Sequence, residues 1–281
     1  MISGSLLIDK QIGLTSRQEV NKVSHLLGEK KAGHIGTLDP FADGLLIVLL
    51  GKATKISPFL EGMDKTYIAT LKLGIATDSG DLTGNVVSKQ AVPSLNKEKI
   101  ETAFKSFLGK QKQLPPMYSA LKVDGKELYK YAREGKEIER KEREINIYEL
   151  KLISFKEDEI VFVSKVSKGT YIRTLGEDIA KALGTVGHLT KLTRLAIGPF
   201  SIEHAVKSEQ VTEQNLIPTM KMLDFMPKLK VNGELIKKAL NGMHFRLPIN
   251  DDLILLYDEE DAIAIYKKEP SGVYSCVRGL R

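Results

Sequence analysis

The sequence predicts an α+β protein: a mixed, mainly antiparallel sheet flanked by helices, with a small β-rich module at the carboxyl end. Three observations carry this reading. Residues 65–73, 145–154 and 159–166 alternate apolar and polar side chains as half-buried strands do. Residues 45–50 are continuously apolar, as in a strand covered on both faces. Residues 16–27 and 95–108 repeat their apolar positions at helical spacing. The 281 residues, 42% apolar and 28% charged, suffice for one large domain and one small one. The predicted division is 1–227 and 228–281.

In chain order, residues 5–10 read as a short strand. Gly13-Leu14-Thr15-Ser16 supplies a turn and a helix cap at Ser16, with Glu19 at capping-box spacing three residues on. Val20, Val23, Leu26 and Leu27 share one helical face, and Gly28 ends the helix. Residues 33–40 then form a stiff loop. Pro40 fixes its own φ and biases Asp39 toward an extended conformation, while Leu38 and Phe41 can anchor the loop to a core. A carboxylate presented this way is either a turn-former or a reagent. Residues 45–50 and 65–73 follow as strands, the latter with Tyr67, Ala69, Leu71 and Leu73 on one side. Asp78, Gly80, Asp81 and Gly84 crowd the loop after it. The helix over 95–108 turns Ile100, Ala103, Phe104 and Phe107 inward.

Residues 110–143 have a different composition: dense in Lys and Arg, interleaved with Tyr118, Tyr129 and Tyr131, and entered through Pro115-Pro116. They read as an excursion from the core. Two antiparallel strands, 145–154 and 159–166, turn at Asp158. Residues 167–175 lead into a helix that closes near Gly184, and 189–199 suggest a further strand. The Met-rich stretch between Pro218 and Pro227 is a linker or a last packing helix. Beyond it lie short strands and a helix over 234–240.

Composition narrows the chemistry. A net charge of +6 and a pI near 9.1 are compatible with a polyanionic partner. One cysteine, Cys276, excludes an intrachain disulfide and fits a reducing cytoplasm. The amino terminus lacks the regions of a signal peptide, and the apolar run 45–50 is too short to span a bilayer, so a cytoplasmic, membrane-free protein is expected, acting as a monomer. His25, His34, His188, His204 and His244 show no metal-ligand spacing, so no metal is expected. The glycine-rich phosphate cradles and the G-x-S-x-G elbow are absent, and no cofactor is expected. What remains is acid–base or nucleophilic work by a carboxylate, with arginine and tyrosine nearby.

Five stretches, in order, carry a resemblance. Gly33-His34-Ile35-Gly36-Thr37-Leu38-Asp39-Pro40, continuing to Gly44 and to Gly51-Lys52-Ala53-Thr54-Lys55, resembles the catalytic signature of the TruB family of bacterial tRNA pseudouridine synthases. Asp64-Lys65-Thr66-Tyr67 resembles its tyrosine strand, and residues 74–81 its acidic loop. Residues 115–122, with Gly125, Tyr129, Ala132 and Arg133, resemble its RNA-gripping thumb, and residues 167–175 its arginine motif. The sequence departs from the family pattern at Gln11, where proline is usual, and at Thr193, where a second arginine is common.

The resemblance implies a pseudouridine synthase fold and isomerisation of the T-loop uridine, position 55 of tRNA, without cofactor. It implies catalytic roles for Asp39 as nucleophile, Arg173 as its ion-pair partner and Tyr67 as the residue stacking on the base. An adjacent guanidinium typically lowers a carboxylate pKa by about 1–3 units. By position alone, Tyr67 serves equally well as strand packing, and Arg173 reads first as a surface arginine beside a turn. The resemblance further implies substrate contacts from His34 and Leu192, a supporting place for Lys10 on the first strand, and contacts from Lys122 and Tyr171; with Thr193 at its position, Arg194 is the candidate RNA contact. The thumb-like insertion, about 110–143, would grip the T arm of tRNA, and 228–281 would be a small PUA-like RNA-binding module. Two rivals remain: a non-catalytic tRNA-binding or tRNA-folding protein on the same scaffold, and a glycosidase or nucleoside enzyme acting on small molecules, which would not need the insertion.

Overall fold

Strand β1 (Gly4–Lys10) crosses a helix, α1 (Ser16–Leu26), and a short strand, β2 (Ala32–Ile35), before its chain returns as β3 (Asp43–Leu50). β3 lies between β1 and β2 and pairs antiparallel with both. Seven of its eight residues are buried, as the unbroken apolar run requires of a strand covered on both faces. The computed structural model that shows this describes residues 2–259 and 261–281. A 3₁₀ turn, Gly51–Ile56, and helix α2 (Ser57–Glu61) lead to β4 (Lys65–Leu73), whose burial alternates residue by residue. A small hairpin follows, β5 (Ile75–Thr77) with β6 (Val86–Lys89), and then α3 (Lys97–Ser106).

Strand β7 (Gly109–Gln113) precedes the basic insertion, which holds a two-residue-per-strand hairpin, β8 (Lys122–Val123) and β9 (Lys126–Glu127), and one helix, α4 (Leu128–Arg133). Long strands β10 (Arg143–Lys156) and β11 (Glu159–Val166) turn tightly at Glu157-Asp158, with Glu157 at φ 57°. Helix α5 (Ile172–Ala182) and β12 (Gly187–Ile197), with the short β13 (Phe200–Ser201), complete the main body. After α6 (Thr219–Met222), a four-stranded sheet forms from β14 (Lys228–Lys230), β15 (Leu253–Asp258), β16 (Asp261–Lys268) and β17 (Tyr274–Gly279), with α7 (Gly233–Leu240) against it.

The main sheet runs β1-β3-β12-β4-β11-β10-β7, and all but one of its pairings are antiparallel. The exception is a two-residue parallel bridge, Thr193↔Asp43 and Arg194↔Gly44, which joins the two halves of the sheet. The α+β expectation therefore holds. One apolar core, with Leu71, Phe104, Phe162, Leu175 and Leu189, fills the space between the sheet and α3 and α5. A second joins Leu45, Ile47 and Ile197 to Leu255, Ile265 and Leu280, so the carboxyl-terminal sheet rests against the main body through a shared apolar layer.

Several local expectations are corrected. Thr15, not Ser16, caps α1, and the box closes with Gln18 instead of Glu19. The hydroxyl of Ser16 and the carboxylate of Glu19 are buried and bond elsewhere. Leu26 is half exposed, because at about 100° per residue it lies about 120° round α1 from Val20, off the buried Val20–Val23 face. Residues 33–35 are strand, paired with β3, so only 36–42 form the loop. The basic insertion is narrower than its composition: Gly109–Gln113 and Arg143 are sheet residues with exposed lysines and arginines on an edge, leaving 114–142 as the excursion.

Candidate active site

The loop between β2 and β3 is fixed by hydrogen bonds to its main chain, as a buried irregular segment requires. Arg194 donates from Nε to the Leu45 carbonyl (2.7 Å) and from Nη2 to the Gly36 carbonyl (2.8 Å), so one side chain spans the loop's two ends. Ser16 Oγ accepts from Leu38 N (2.8 Å) and donates to Leu38 O (3.1 Å). Gly13 N donates to Pro40 O (2.7 Å), and Lys10 Nζ to Ala42 O (2.6 Å). Gly44 closes the loop at φ 98°; a Cβ there would lie 2.4 Å from the Arg194 carbonyl oxygen, which explains the glycine. Leu38 and Phe41 are buried in the main core, so Asp39 stands on a loop anchored on either side.

Arg173 reaches Asp39 from the first turn of α5. Its Nε lies 2.9 Å from Asp39 Oδ2. Nη1 donates to the Ser79 carbonyl (2.7 Å) and lies 3.7 Å from Asp81 Oδ2, while Nη2 donates to the Tyr118 carbonyl (2.6 Å). A planar guanidinium with five fixed N–H donors suits such a junction. Thus one buried arginine joins the Asp39 carboxylate, the acidic loop and the entry of the basic insertion. Two further contacts hold the start and body of α5, the helix that carries the arginine. Gln113 holds both main-chain groups of Tyr171, accepting from its N (2.8 Å) and donating to its O (3.0 Å). Helix α5 also approaches β12 closely at Gly176, where a Cβ would fall 2.8 Å from Leu189 Cδ2.

Asp81 is itself buried; its Oδ1 accepts from Ser79 Oγ, Thr83 N and Thr83 Oγ1 at 2.6–2.9 Å. Its Oδ2 is left facing Arg173. Asp39 differs: Oδ2 is held by Arg173, and its side chain is 35% exposed. Burial and the Asp81 charge raise the Asp39 carboxyl above the ordinary 3.8, burial being the larger cause, while Arg173 pulls it down. The expectation that the guanidinium sets a low pKa is therefore corrected: removal from water outweighs it. The open face of the carboxyl limits how large that rise is, but not its direction.

Tyr67 and Leu192 belong to the same apolar cluster as Leu38 and Phe41. Tyr67 stands at mid-strand opposite Ser164 on β11 and Arg194 on β12, and Leu192 stands opposite Ala69. The sheet thus brings Tyr67 and Leu192 to the apolar layer under the Asp39 loop. His34 is on β2, with Nε2 3.1 Å from Thr37 Oγ1; burial, then Arg194 and Arg17, push its pKa below the ordinary value. Tyr171 precedes α5 directly and is half-buried. Lys122 is exposed on the insertion hairpin, 3.9 Å from Glu127.

One expected contact is corrected: Arg194 is 1% exposed and gives its donors to the loop carbonyls of Leu45 and Gly36 instead of to RNA. Lys10 is fully enclosed and donates to Ala42 O, which is a supporting place on the first strand and not a direct ligand contact. Burial lowers the Lys10 pKa to about 8, and burial with Arg194 does the same to Lys65, whose Nζ donates to Glu61 O and Met63 O. Sequence reasoning missed Ser16, Gln113 and Asp81 as site residues. Asp81 had a signal, the crowded 78–84 loop, whereas the side-chain to main-chain bonds of Ser16 and Gln113 have no sequence pattern. Among the described residues no group of three or more His, Cys, Asp or Glu stands close enough together to hold a metal ion.

Residues 24–172 match the family described as TruB family pseudouridylate synthase (N terminal domain), and residues 173–224 match the tRNA pseudouridylate synthase B C-terminal domain. The chain belongs to the TruB family. Among its relatives, a protein of Hydrogenovibrio crunogenus named tRNA pseudouridine synthase B is 50% identical over 86% of this chain and 80% of its own. One of Geobacillus thermodenitrificans with the same name is 41% identical over 96% of both. A chain of a Cbf5–Nop10–Gar1 complex superposes with a TM-score of 0.72 at 24% identity, covering 94% of this chain and 78% of its own, and supports the fold. The TruB family relationship extends over most of the chain, including every element that touches Asp39.

Proposed function

We propose that this TruB-family protein converts uridine to pseudouridine in tRNA, acting on the T-loop uridine at position 55, with Asp39 as nucleophile. One observation carries the reading: a carboxylate with one oxygen tied to a buried arginine at 2.9 Å and a third of its side chain open. A purely structural ion pair needs no open face.

The reaction breaks the C1′–N1 bond, turns the base over and joins C1′ to C5; the C5 proton is lost and N1 gains one. No redox equivalent is consumed. An ionised Asp39 can attack covalently or steady positive charge that develops on the ribose. Arg173 fixes the rotamer and keeps Oδ2 occupied, which directs the attack to Oδ1. The target lies inside a folded RNA loop, so it must be everted at a cost of a few kcal/mol. Stacking on Tyr67 returns about 1–3 kcal/mol, and Leu192 covers the apolar edge of the base. His34, at the loop entrance, takes the space the base leaves.

The basic insertion supplies phosphate contacts. Its tyrosines already pair with cations, Lys126 over Tyr131 at 4.5 Å and Arg133 over Tyr129 at 5.4 Å. Lys122 and Tyr171 meet the T arm, residues 228–281 form a PUA-like RNA-binding module, and the protein works as a cytoplasmic monomer. No helix among the described residues is long and apolar enough to cross a membrane. The test is incubation with an unmodified tRNA transcript and no added cofactor, followed by mapping of pseudouridine. Full retention of uridine overturns the function; normal activity in Asp39→Ala overturns the nucleophile.

A further inference from the structure

We propose that Ser16 is a positioning residue for Asp39, acting through the main chain of Leu38. The proposal rests on the assignment of Asp39 as nucleophile. Asp39 stands between two peptide units that the β1–α1 turn grips directly. On one side Leu38 gives both its N–H and its C=O to the Ser16 hydroxyl; on the other Pro40 gives its C=O to Gly13 N. Ser16 is 1% exposed and Leu38 3%, so no water replaces these bonds when the hydroxyl is removed.

The helix itself does not need this hydroxyl. Thr15 caps α1, accepting from Gln18 N, and the Gln18 side chain returns to Thr15 N. Ser16 is therefore free of the usual work of serine at a helix start, and its hydroxyl points to the catalytic loop. Arg194 and Lys10 hold the loop farther out, at Gly36, Ala42 and Leu45. Ser16 holds the residue adjacent to Asp39. A carboxylate displaced by about 1 Å from its line of attack costs on the order of 100-fold in rate.

The neighbouring Thr15 provides the control, because Thr15→Ala weakens the same helix without touching the loop. With a T-arm RNA substrate, Ser16→Ala is expected to lower kcat by about 10–100-fold with KM within about threefold. Ser16→Thr, which keeps the hydroxyl, is expected to return most of kcat, and Thr15→Ala to keep kcat within about twofold while Tm falls. If Ser16→Ala does not fold, Ser16→Cys carries the same expectation; failure of both to fold marks Ser16 as a determinant of the fold and overturns the proposal. It is also overturned if Ser16→Ala keeps wild-type kcat, or if Thr15→Ala loses as much as Ser16→Ala. Asp39→Ala, assayed alongside, separates the two levels: an active Asp39 variant removes the nucleophile assignment, whereas an inactive one beside an active Ser16 variant removes only this inference.

Discussion

Asp39→Asn is expected to abolish isomerisation while leaving the fold at least as stable at neutral pH. Burial and Asp81 raise the Asp39 carboxyl above 3.8, against the pull of Arg173. A carboxyl raised by folding stabilises the fold in its protonated form. That contribution is complete below the unfolded pKa and is lost as pH rises through the folded pKa. At pH 7.5 the ionised side chain is therefore a cost that a neutral isostere escapes. Each unit of such a shift corresponds to about 1.4 kcal/mol. With 35% of the side chain in contact with solvent, screening reduces it. The attraction of Arg173 for the charged oxygen is already contained in that net rise and does not count again. The result is a change between zero and about +1 kcal/mol in favour of the variant. Urea unfolding of both proteins from pH 7.5 down to about pH 4 measures it, and wild type should gain on the variant as pH falls toward the ordinary carboxylate range. A variant less stable at pH 7.5 by more than about 1 kcal/mol, or a difference that ignores pH, would mean that the ion pair outweighs burial.

Other outcomes follow from the same contacts. Arg173→Met leaves Asp39 and Asp81 near each other without a cation and the buried Ser79 and half-buried Tyr118 carbonyls without this donor, so it should lower activity at least 100-fold and stability by about 3–5 kcal/mol, read by pseudouridine formation and chemical unfolding. Lys10 and Lys65 have folded pKa values of about 8 against 10.5, so the stability they contribute is full above 10.5 and lost as pH falls through 8. Stability should rise between those limits by roughly 3 kcal/mol for each lysine, and Lys10→Met should remove a share of that slope in unfolding curves taken from pH 7.5 to 9.5. Gly44→Ala places a methyl 2.4 Å from a carbonyl oxygen at φ 98°, so soluble yield and Tm should both fall, by more than about 2 kcal/mol of stability. Deleting residues 114–142 should weaken tRNA binding and flatten its salt dependence, measured by filter binding across salt; retained affinity with an unchanged slope would remove the insertion from RNA binding.

What the chain order alone determined was periodicity and punctuation. Alternation along 65–73 became β4 residue for residue, and the apolar run 45–50 became the doubly covered β3. Motifs placed Asp39, Tyr67 and Arg173 in one site, because the stretches that carry them resemble TruB-family motifs in the same order. Only the tertiary structure decided how they meet. Buried donors must find acceptors, and sequence does not say which carbonyl is nearest. So Arg194, which read as a cation for RNA, turned inward to the loop beside the supporting Lys10, and Ser16, which read as a cap, became a clasp on Leu38. The sign of the Asp39 shift was undetermined for the same reason: an arginine partner is visible in a motif, but the loss of water around the pair is a property of the walls, and those come from strands and helices distant in the chain.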